Sequence, residues 1–368
     1  GHNGGDGLVV ASLRVSGATV EYSGGLIPCV DVWIVSGGSF TGGTTVLDAS
    51  GTVSVVGTSS QLSVSSIVGS GEGGVVGGGE EPQPLLDVGD GGVVSGGTAS
   101  GDLVIRGPSG RRCVVSPGGS LDVGAGGLSM ECGTLVVEPT GVVVGGSVSL
   151  EGLWVNVSGS VSVGNRAELN VTGTAVVIHS TGVVAGGSVT VLCSALWVGG
   201  HISADGLGYD GTHELAHYDG YGLGPGSWAG GGGHGGSGGG PWGRQGHGGS
   251  AYGDMLSPRT WGSSGGCREQ CHIWAASGGG RVYIQAVNVS VASGGMVSAN
   301  GMSLPTNSYH SGGGAGGSVW LRAVRLFVVD GSVMADGGDG GTYAGHNGGG
   351  GGGGGRVCIE YMEGPRWR

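Results

Sequence analysis

A ten-residue phrase returns along this chain, and its interval limits what the chain can build. Thr140-Gly-Val-Val-Val-Gly-Gly-Ser-Val-Ser recurs as Thr181-Gly-Val-Val-Ala-Gly-Gly-Ser-Val-Thr, 41 residues later (140 to 181). A Leu-Trp-Val follows each copy, at Leu153 and Leu196. Short Val-rich runs fill the region, such as Ser147-Val-Ser-Leu, Ser160-Val-Ser-Val, Glu168-Leu-Asn-Val and Ala175-Val-Val-Ile. Many alternate polar with apolar residues, the period-2 sign of a strand with one buried face. Stiff β-branched side chains suit such pleated surfaces. No helical 3.6-residue stripe is sustained, and strands this short without crossover helices cannot form a doubly wound sheet. Two coils of about 20 residues fit the interval, within the range of solenoid repeats.

These features predict an all-β chain folded as a right-handed parallel β-helix (a β-solenoid) with long glycine-rich loops. Residues 1–205 read as Val/Gly/Ser-rich coils. Residues 206–368 read as a glycine-rich continuation with long loop insertions. There Gly279-Gly-Arg-Val-Tyr-Ile, Gly316-Gly-Ser-Val-Trp-Leu and Gly354-Gly-Arg-Val-Cys-Ile recur at offsets of 37 and 38 (279 to 316 to 354). Ile202-Ser-Ala-Asp-Gly, Val297-Ser-Ala-Asn-Gly and Val333-Met-Ala-Asp-Gly form a second family of phrases. Glycine accounts for 96 of 368 residues, about a quarter, against a usual share of about 7%. It reads as punctuation between strands. Where glycine chains pack side by side, they approach closely because no Cβ intervenes.

The chain carries a formal charge of −12, and all 14 basic residues are Arg. No basic stripe exists, so the electrostatic footprint of nucleic-acid binding is missing. No apolar run of about 18 residues offers a membrane span within this chain. The sequence opens in a rung-like phrase, Gly1-His2-Asn3-Gly4-Gly5, which reads as a processed chain or part of a longer one. Three sequons, at Asn156, Asn170 and Asn288, point to N-glycans and an extracellular or cell-surface location. Cys267 and Cys271 flank a short polar loop and are candidates for a local disulfide. The cysteines number seven, so one is left over.

His213-Glu214-Leu215-Ala216-His217 spells the zinc-protease pattern, in which two His hold zinc and the Glu activates water. It sits between Asp210-Gly211 and Asp219-Gly220, which leaves room for barely two helical turns, and it reads as a loop rather than a site. His234, His247, His310 and His346 lie among glycines and read as loop residues. Asp336 and Asp339, with Asp205 and Asp210, could offer oxygen to calcium, although Asp-Gly is ordinary turn chemistry. A polysaccharide-cleaving site needs clustered carboxylates on one face. The strand runs hold almost no acids apart from Glu168, and Glu80-Glu81 and Asp87 to Asp90 fall in turns.

Gly232-Gly-Gly-His-Gly-Gly-Ser-Gly-Gly, Tyr252-Gly-Asp-Met-Leu-Ser-Pro, Gly262-Ser-Ser-Gly-Gly and the Gly-Gly-Arg/Ser-Val phrases belong together. Across residues 195–362 they resemble the glycine-rich β-helix segment of large extracellular surface proteins of protists, algae and plants. That resemblance implies a secreted or tethered surface component without assigned catalytic residues. The sequence is therefore expected to specify a structural protein, not an enzyme. It would be a glycosylated surface or filament subunit without a cofactor, associating head-to-tail with itself or with other surface proteins and glycans. A carbohydrate-active β-helix enzyme or a glycan-binding adhesin is the alternative.

Overall fold

The computed structural model describes residues 10–70, 84–97, 101–211, 218–242, 246–267, 276–305, 311–328, 331–342 and 348–363. The chain separates into two compact units. The first comprises Gly1–Ser162 with Asn170–Val183, and the second Val163–Leu169 with Val184–Arg368.

In the first unit one parallel sheet returns on itself. It runs from Gly127–Glu131 (β14) through Leu103–Arg106 (β11), Ser66–Gly69 (β8) and Val46–Ala49 (β5) to the long strand Leu26–Val35 (β3). From β3 it continues through Val53–Val56 (β6), Pro84–Gly89 (β9), Arg112–Val115 (β12) and Thr134–Val137 (β15) to Ser147–Val157 (β17). β17 pairs back to β14, which closes a ring of ten strands. Val10–Ser16 (β1) adds to β3. The second sheet of this unit orders Thr19–Glu21 (β2), Ser39–Thr41 (β4), Gln61–Val64 (β7), Val93–Gly96 (β10), Ser120–Asp122 (β13), Val142–Gly145 (β16) and Ser160–Val163 (β18).

The expectation of a simple right-handed parallel β-helix with glycine loops is corrected by this closure. The all-β, parallel character stands; the sheet is barrel-like or solenoid-like, and closed. The cause lies in strand length. β3 has 10 residues and β17 has 11, so each holds two partners end to end. Leu26 to Cys29 pair with β5, and Val32 to Val35 pair with β6. Between these two long strands each turn of chain is broken into two short strands, and two ribbons run separately until β17 joins them. Arg111 is buried in the break: its guanidinium donates to Ser50 O at 2.9 Å, to Gly51 O and to Pro84 O.

Inside the ring, side chains line up in register. One row runs Ile27, Leu47, Ile67, Ile105, Met130, Leu150. Another runs Ile34, Val55, Val88, Val115, Val137, Val157. All of these residues are buried, and each contributes about 1.5–3 kcal/mol of hydrophobic stabilisation. The 41-residue interval is two turns. Ser160 N–H donates to Gly141 O, and Val183 N–H donates to Gly159 O, so one turn intervenes between the two copies.

Glu168–Ile178 (β19) and Val183–Ala185 (β20) lie where the units divide. The second unit pairs Ser188–Val198 (β21), Arg281–Val291 (β23), Ser318–Val328 (β25) and Arg356–Glu363 (β27) in parallel. A second sheet pairs His201–Ser203 (β22), Met296–Ser298 (β24) and Ser332–Met334 (β26). Arg281 faces Ser318 and Ser318 faces Arg356, the 37- and 38-residue offsets turned into strand register.

The glycine-rich stretches of this unit are not loops hung on the coil. From Gly312 onward, successive N–H groups donate to Gly266, Gly350 and Met302; the next three, from Ala315, donate to Ser263, Gly353 and Ala299. The same three neighbours return every third residue. That rotation is the signature of a polyproline-II-type helix, three residues to the turn with no bonds of its own. Gly349, Gly352 and Gly355 donate likewise to Gly341, Gly338 and Ala335, while Gly350 and Gly353 donate to Ala229 and Gly232. These segments form a laterally hydrogen-bonded bundle. A Cβ on Gly312, Gly314 or Gly316 would enter the van der Waals shell of a neighbouring carbonyl oxygen, of Gly230, Ser277 and Ala335 respectively. Side chains enter only at spared positions, such as the buried Ala315, Ser263 and His234.

Two glycines distinguish a packed bundle from loose loops. Gly314→Ala should destabilise the second unit by about 3 kcal/mol through overpacking against the backbone. At Gly354 an added Cβ has nothing within 4 Å and φ is not positive, so Gly354→Ala should be neutral or stabilise by about 0.5 kcal/mol. Thermal melting followed by circular dichroism checks both; equal effects would contradict the bundle.

Candidate functional site

Two surfaces of the second unit stand out. The first is the free edge of β27. Val189, Val282, Val319 and Val357 form one inward row, and Val191, Ile284, Leu321 and Ile359 form the next. Val319 and Leu321 are fully buried, whereas Val357 and Ile359 are 44% and 38% exposed. The rows are covered up to β25 and open at β27. Among the described residues no strand pairs with the outer edge of β27. The companion row Ile202, Val297, Val333 opens the same way: the first two are fully buried and Val333 is partly exposed.

A ladder of polar side chains accompanies these rows. Asp205 accepts from Asn300 N–H at 2.5 Å and from the Ser298 hydroxyl at 2.9 Å. Asn300 Oδ1 accepts from Asp336 N–H at 2.7 Å. The Ser-Ala-Asp/Asn-Gly phrases are thus caps, each fixing the turn that follows. The Asp336 carboxylate is exposed and has no partner among the described residues.

The second surface is an outward groove across β21, β23, β25 and β27, with a volume of about 530 Å³. Gln285, Arg322 and Glu360 stand in one row along it, and Ala286, Ala323 and Tyr361 stand in the next. Beside it Arg322 Nε meets Glu360 Oε2 at 3.0 Å, and the Trp320 indole N–H donates to Glu360 Oε1 at 2.8 Å. These bonds, Trp320 first and then Arg322, hold the Glu360 carboxyl below its usual range. Trp320 is itself buried, with the guanidinium groups of Arg259 and Arg322 at 4.8 Å and 5.4 Å from its ring centre. The first unit has a smaller groove of about 300 Å³, where Glu131 and Glu151 face each other in register beside Gly152 and Gly173.

The sequon residues Asn156, Asn170 and Asn288 all lie in strands at partly exposed positions; the first two alternate with buried neighbours, and Asn288 stands between the exposed Val287 and the buried Val289. His213, Glu214, His217, Cys271, His310 and His346 lie outside the described residues. Asp336 and Asp339 are exposed, and their N–H groups donate to Asn300 and to the Ser303 hydroxyl. Among the described residues no group of three or more His, Cys, Asp or Glu could hold a metal ion. Cys267 is disulfide-bonded. A second disulfide joins Cys113 to Cys132 inside the ring. Sequence gave no signal for it, because 19 residues separate two cysteines that meet only when the ribbons pack. Cys29, Cys193 and Cys358 are free thiols. Burial pushes Cys193 up to about 12 and, with Asp48 and Asp31 adding, Cys29 up to about 11, so neither is a ready nucleophile.

No helix of the structure is long and apolar enough to cross a membrane. No family model matches the chain, and neither a curated protein nor a solved structure matches it.

His234 supplies a pH test of this unit. It is fully buried; its Nδ1 donates to Gly316 O and its Nε2 accepts from the Thr260 hydroxyl, each at 2.8 Å. Burial, and secondarily Arg356, hold its pKa below the ordinary value of 6.5. The unfolded chain therefore takes up a proton that the folded chain resists. Stability is full above about pH 6.5 and is lost as pH falls toward the lower folded value. The melting temperature should drop between pH 7 and pH 5, and His234→Gln should flatten that drop.

Proposed function

We propose that this chain is an extracellular structural protein, a surface or filament subunit that assembles through its open sheet edges. The observation that carries this reading is the β27 edge. Val319 and Leu321 are fully buried beneath β27, and the same positions one strand on are 44% and 38% exposed. An unpaired edge beside an uncovered apolar row is a template for another parallel strand. A parallel coil of the same repeat, such as a second copy presents, would fit that edge. Covering Val357 and Ile359 would contribute about 1 kcal/mol each, and a ladder of backbone bonds would set the register. Contacts of this head-to-tail kind propagate without closing.

The compartment is inferred from two features. The Cys113–Cys132 bond suits an oxidising environment. Asn156, Asn170 and Asn288 present their sequons on outward strand positions, where glycans would shield the faces that do not assemble. Asp336 and Asp339 serve as turn residues, and no cofactor is needed for a mechanical role.

Sedimentation velocity and negative-stain microscopy test the edge. The native chain should form elongated oligomers that grow with concentration. The double variant Val357→Lys, Ile359→Glu should stay monomeric with a melting temperature within a few degrees of the parent. A native chain that remains a dispersed monomer at millimolar concentration would sink the assembly reading. Protein secreted from eukaryotic cells should also lose mass on N-glycosidase treatment, and Asn288→Gln should remove one increment; unchanged mass would contradict the glycoprotein assignment.

A further inference from the structure

We infer that the outward groove of the second unit is a binding site for a neutral polysaccharide chain. At about 530 Å³ it falls within the range of small-ligand sites, about 300–1,000 Å³. Its direction is what selects the ligand. The groove runs across the strands, so Gln285, Arg322 and Glu360, in register on β23, β25 and β27, recur at the strand spacing of about 4.8 Å. A linear polymer lying across them meets a hydrogen-bonding side chain at each step, and an extended sugar residue has close to that length. The floor is made of small residues, Ala286 and Ala323, which are 7% and 8% exposed and leave the depth open. Tyr361, 48% exposed, offers a ring face at the β27 end. Amphipathic rings of this kind suit ligands that are apolar on one face and polar at the rim.

Three observations favour a neutral sugar over other polymers. The groove's charges are already paired, Arg322 with Glu360 at 3.0 Å, so no unbalanced charge awaits an ionic ligand. The chain's formal charge of −12 opposes polyanions. An extended peptide binds sheets by adding to an edge, where backbone groups are free. Beneath this groove the backbones of β21, β23 and β25 are paired on both sides, and a peptide laid across them finds no ladder. Hydroxyl groups can bond instead to the Gln285 amide N–H groups, its Oε1 already accepting from the Tyr283 hydroxyl, and to the outer faces of the Arg322–Glu360 pair.

The experiment is calorimetric titration of the full chain, produced in bacteria so that no glycan stands at Asn288 beside the groove. The edge variant described above keeps it monomeric. The probes are hexasaccharides of β-1,4-glucose, β-1,3-glucose, mannose and N-acetylglucosamine, with heparin and an extended neutral peptide as controls. At least one neutral hexasaccharide should bind. Gln285→Ala with Tyr361→Ala should weaken it at least tenfold, and Ala323→Trp, which fills the floor, should abolish it. Circular dichroism melting establishes that each variant is folded. No binding by any neutral probe, tighter binding of heparin or of the peptide, or binding that survives both variants would overturn the assignment. None of these outcomes bears on assembly, which is read separately from sedimentation.

Discussion

The second unit depends on one constraint, the approach of backbone to backbone at a distance that a Cβ forbids. Each threefold glycine segment has no hydrogen bonds of its own, so every N–H must find a carbonyl on a neighbour. Gly312 to Gly317 satisfy this by turning to three neighbouring segments in rotation, while Gly349, Gly352 and Gly355 turn to one neighbour and Gly350 and Gly353 to another. Ordering glycine costs more conformational entropy than ordering any other residue. Only a lattice in which nearly every donor is used, and in which close contact adds dispersion along whole segments, offsets that cost. The glycine content is therefore a requirement of the packing rather than a sign of looseness.

The strand layers obey a related rule in different residues. Parallel register brings like side chains into line, so Val and Ile rows form wherever the repeat is kept. In the first unit β3 and β17 each hold two partners, and the ten-strand ring follows from that. The price of the break between the ribbons is a set of corner carbonyls turned inward, and the buried guanidinium of Arg111 satisfies those of Ser50, Gly51 and Pro84. A charge placed there is expensive unless hydrogen-bonded, which explains why one side chain serves three acceptors.

Much of this was legible in the sequence, and the rest failed for identifiable reasons. The offsets of 37 and 38 residues are the strand register itself, because period-2 patterning and repeat length act locally. The ring was not legible: whether a strand continues or breaks into two depends on the corner, and Gly51, Gly107 and Gly133 look like any other turn glycine. Whether Gly348 to Gly355 is ordered was not legible either, since a threefold glycine helix has no side chains to carry a period. Its signal was the sheer number of glycine runs able to serve as one another's neighbours. Of the site, the Asp205, Asn300 and Asp336 phrases were visible as repeats but not as caps. The groove residues were visible only as members of rows, because their meaning comes from a direction across the strands that sequence does not run along.

The cap ladder bears on growth. Asp205 fixes the turn containing Asn300, and Asn300 fixes the turn containing Asp336, so each turn receives its cap from the one before. Such a device has no internal stop. A turn that receives a cap also supplies one, and the apolar rows beside it behave alike: Leu321 is covered by Ile359, which in turn needs cover. Among the described residues two independent systems, one polar and one apolar, are thus open at the same edge and in the same direction. A terminating surface would place charged or bulky polar groups at Val357 and Ile359, as edge strands in soluble proteins commonly do. Val and Ile at those positions, beside an Asp336 carboxylate without a partner among the described residues, leave both systems open there, which is what the proposed assembly needs.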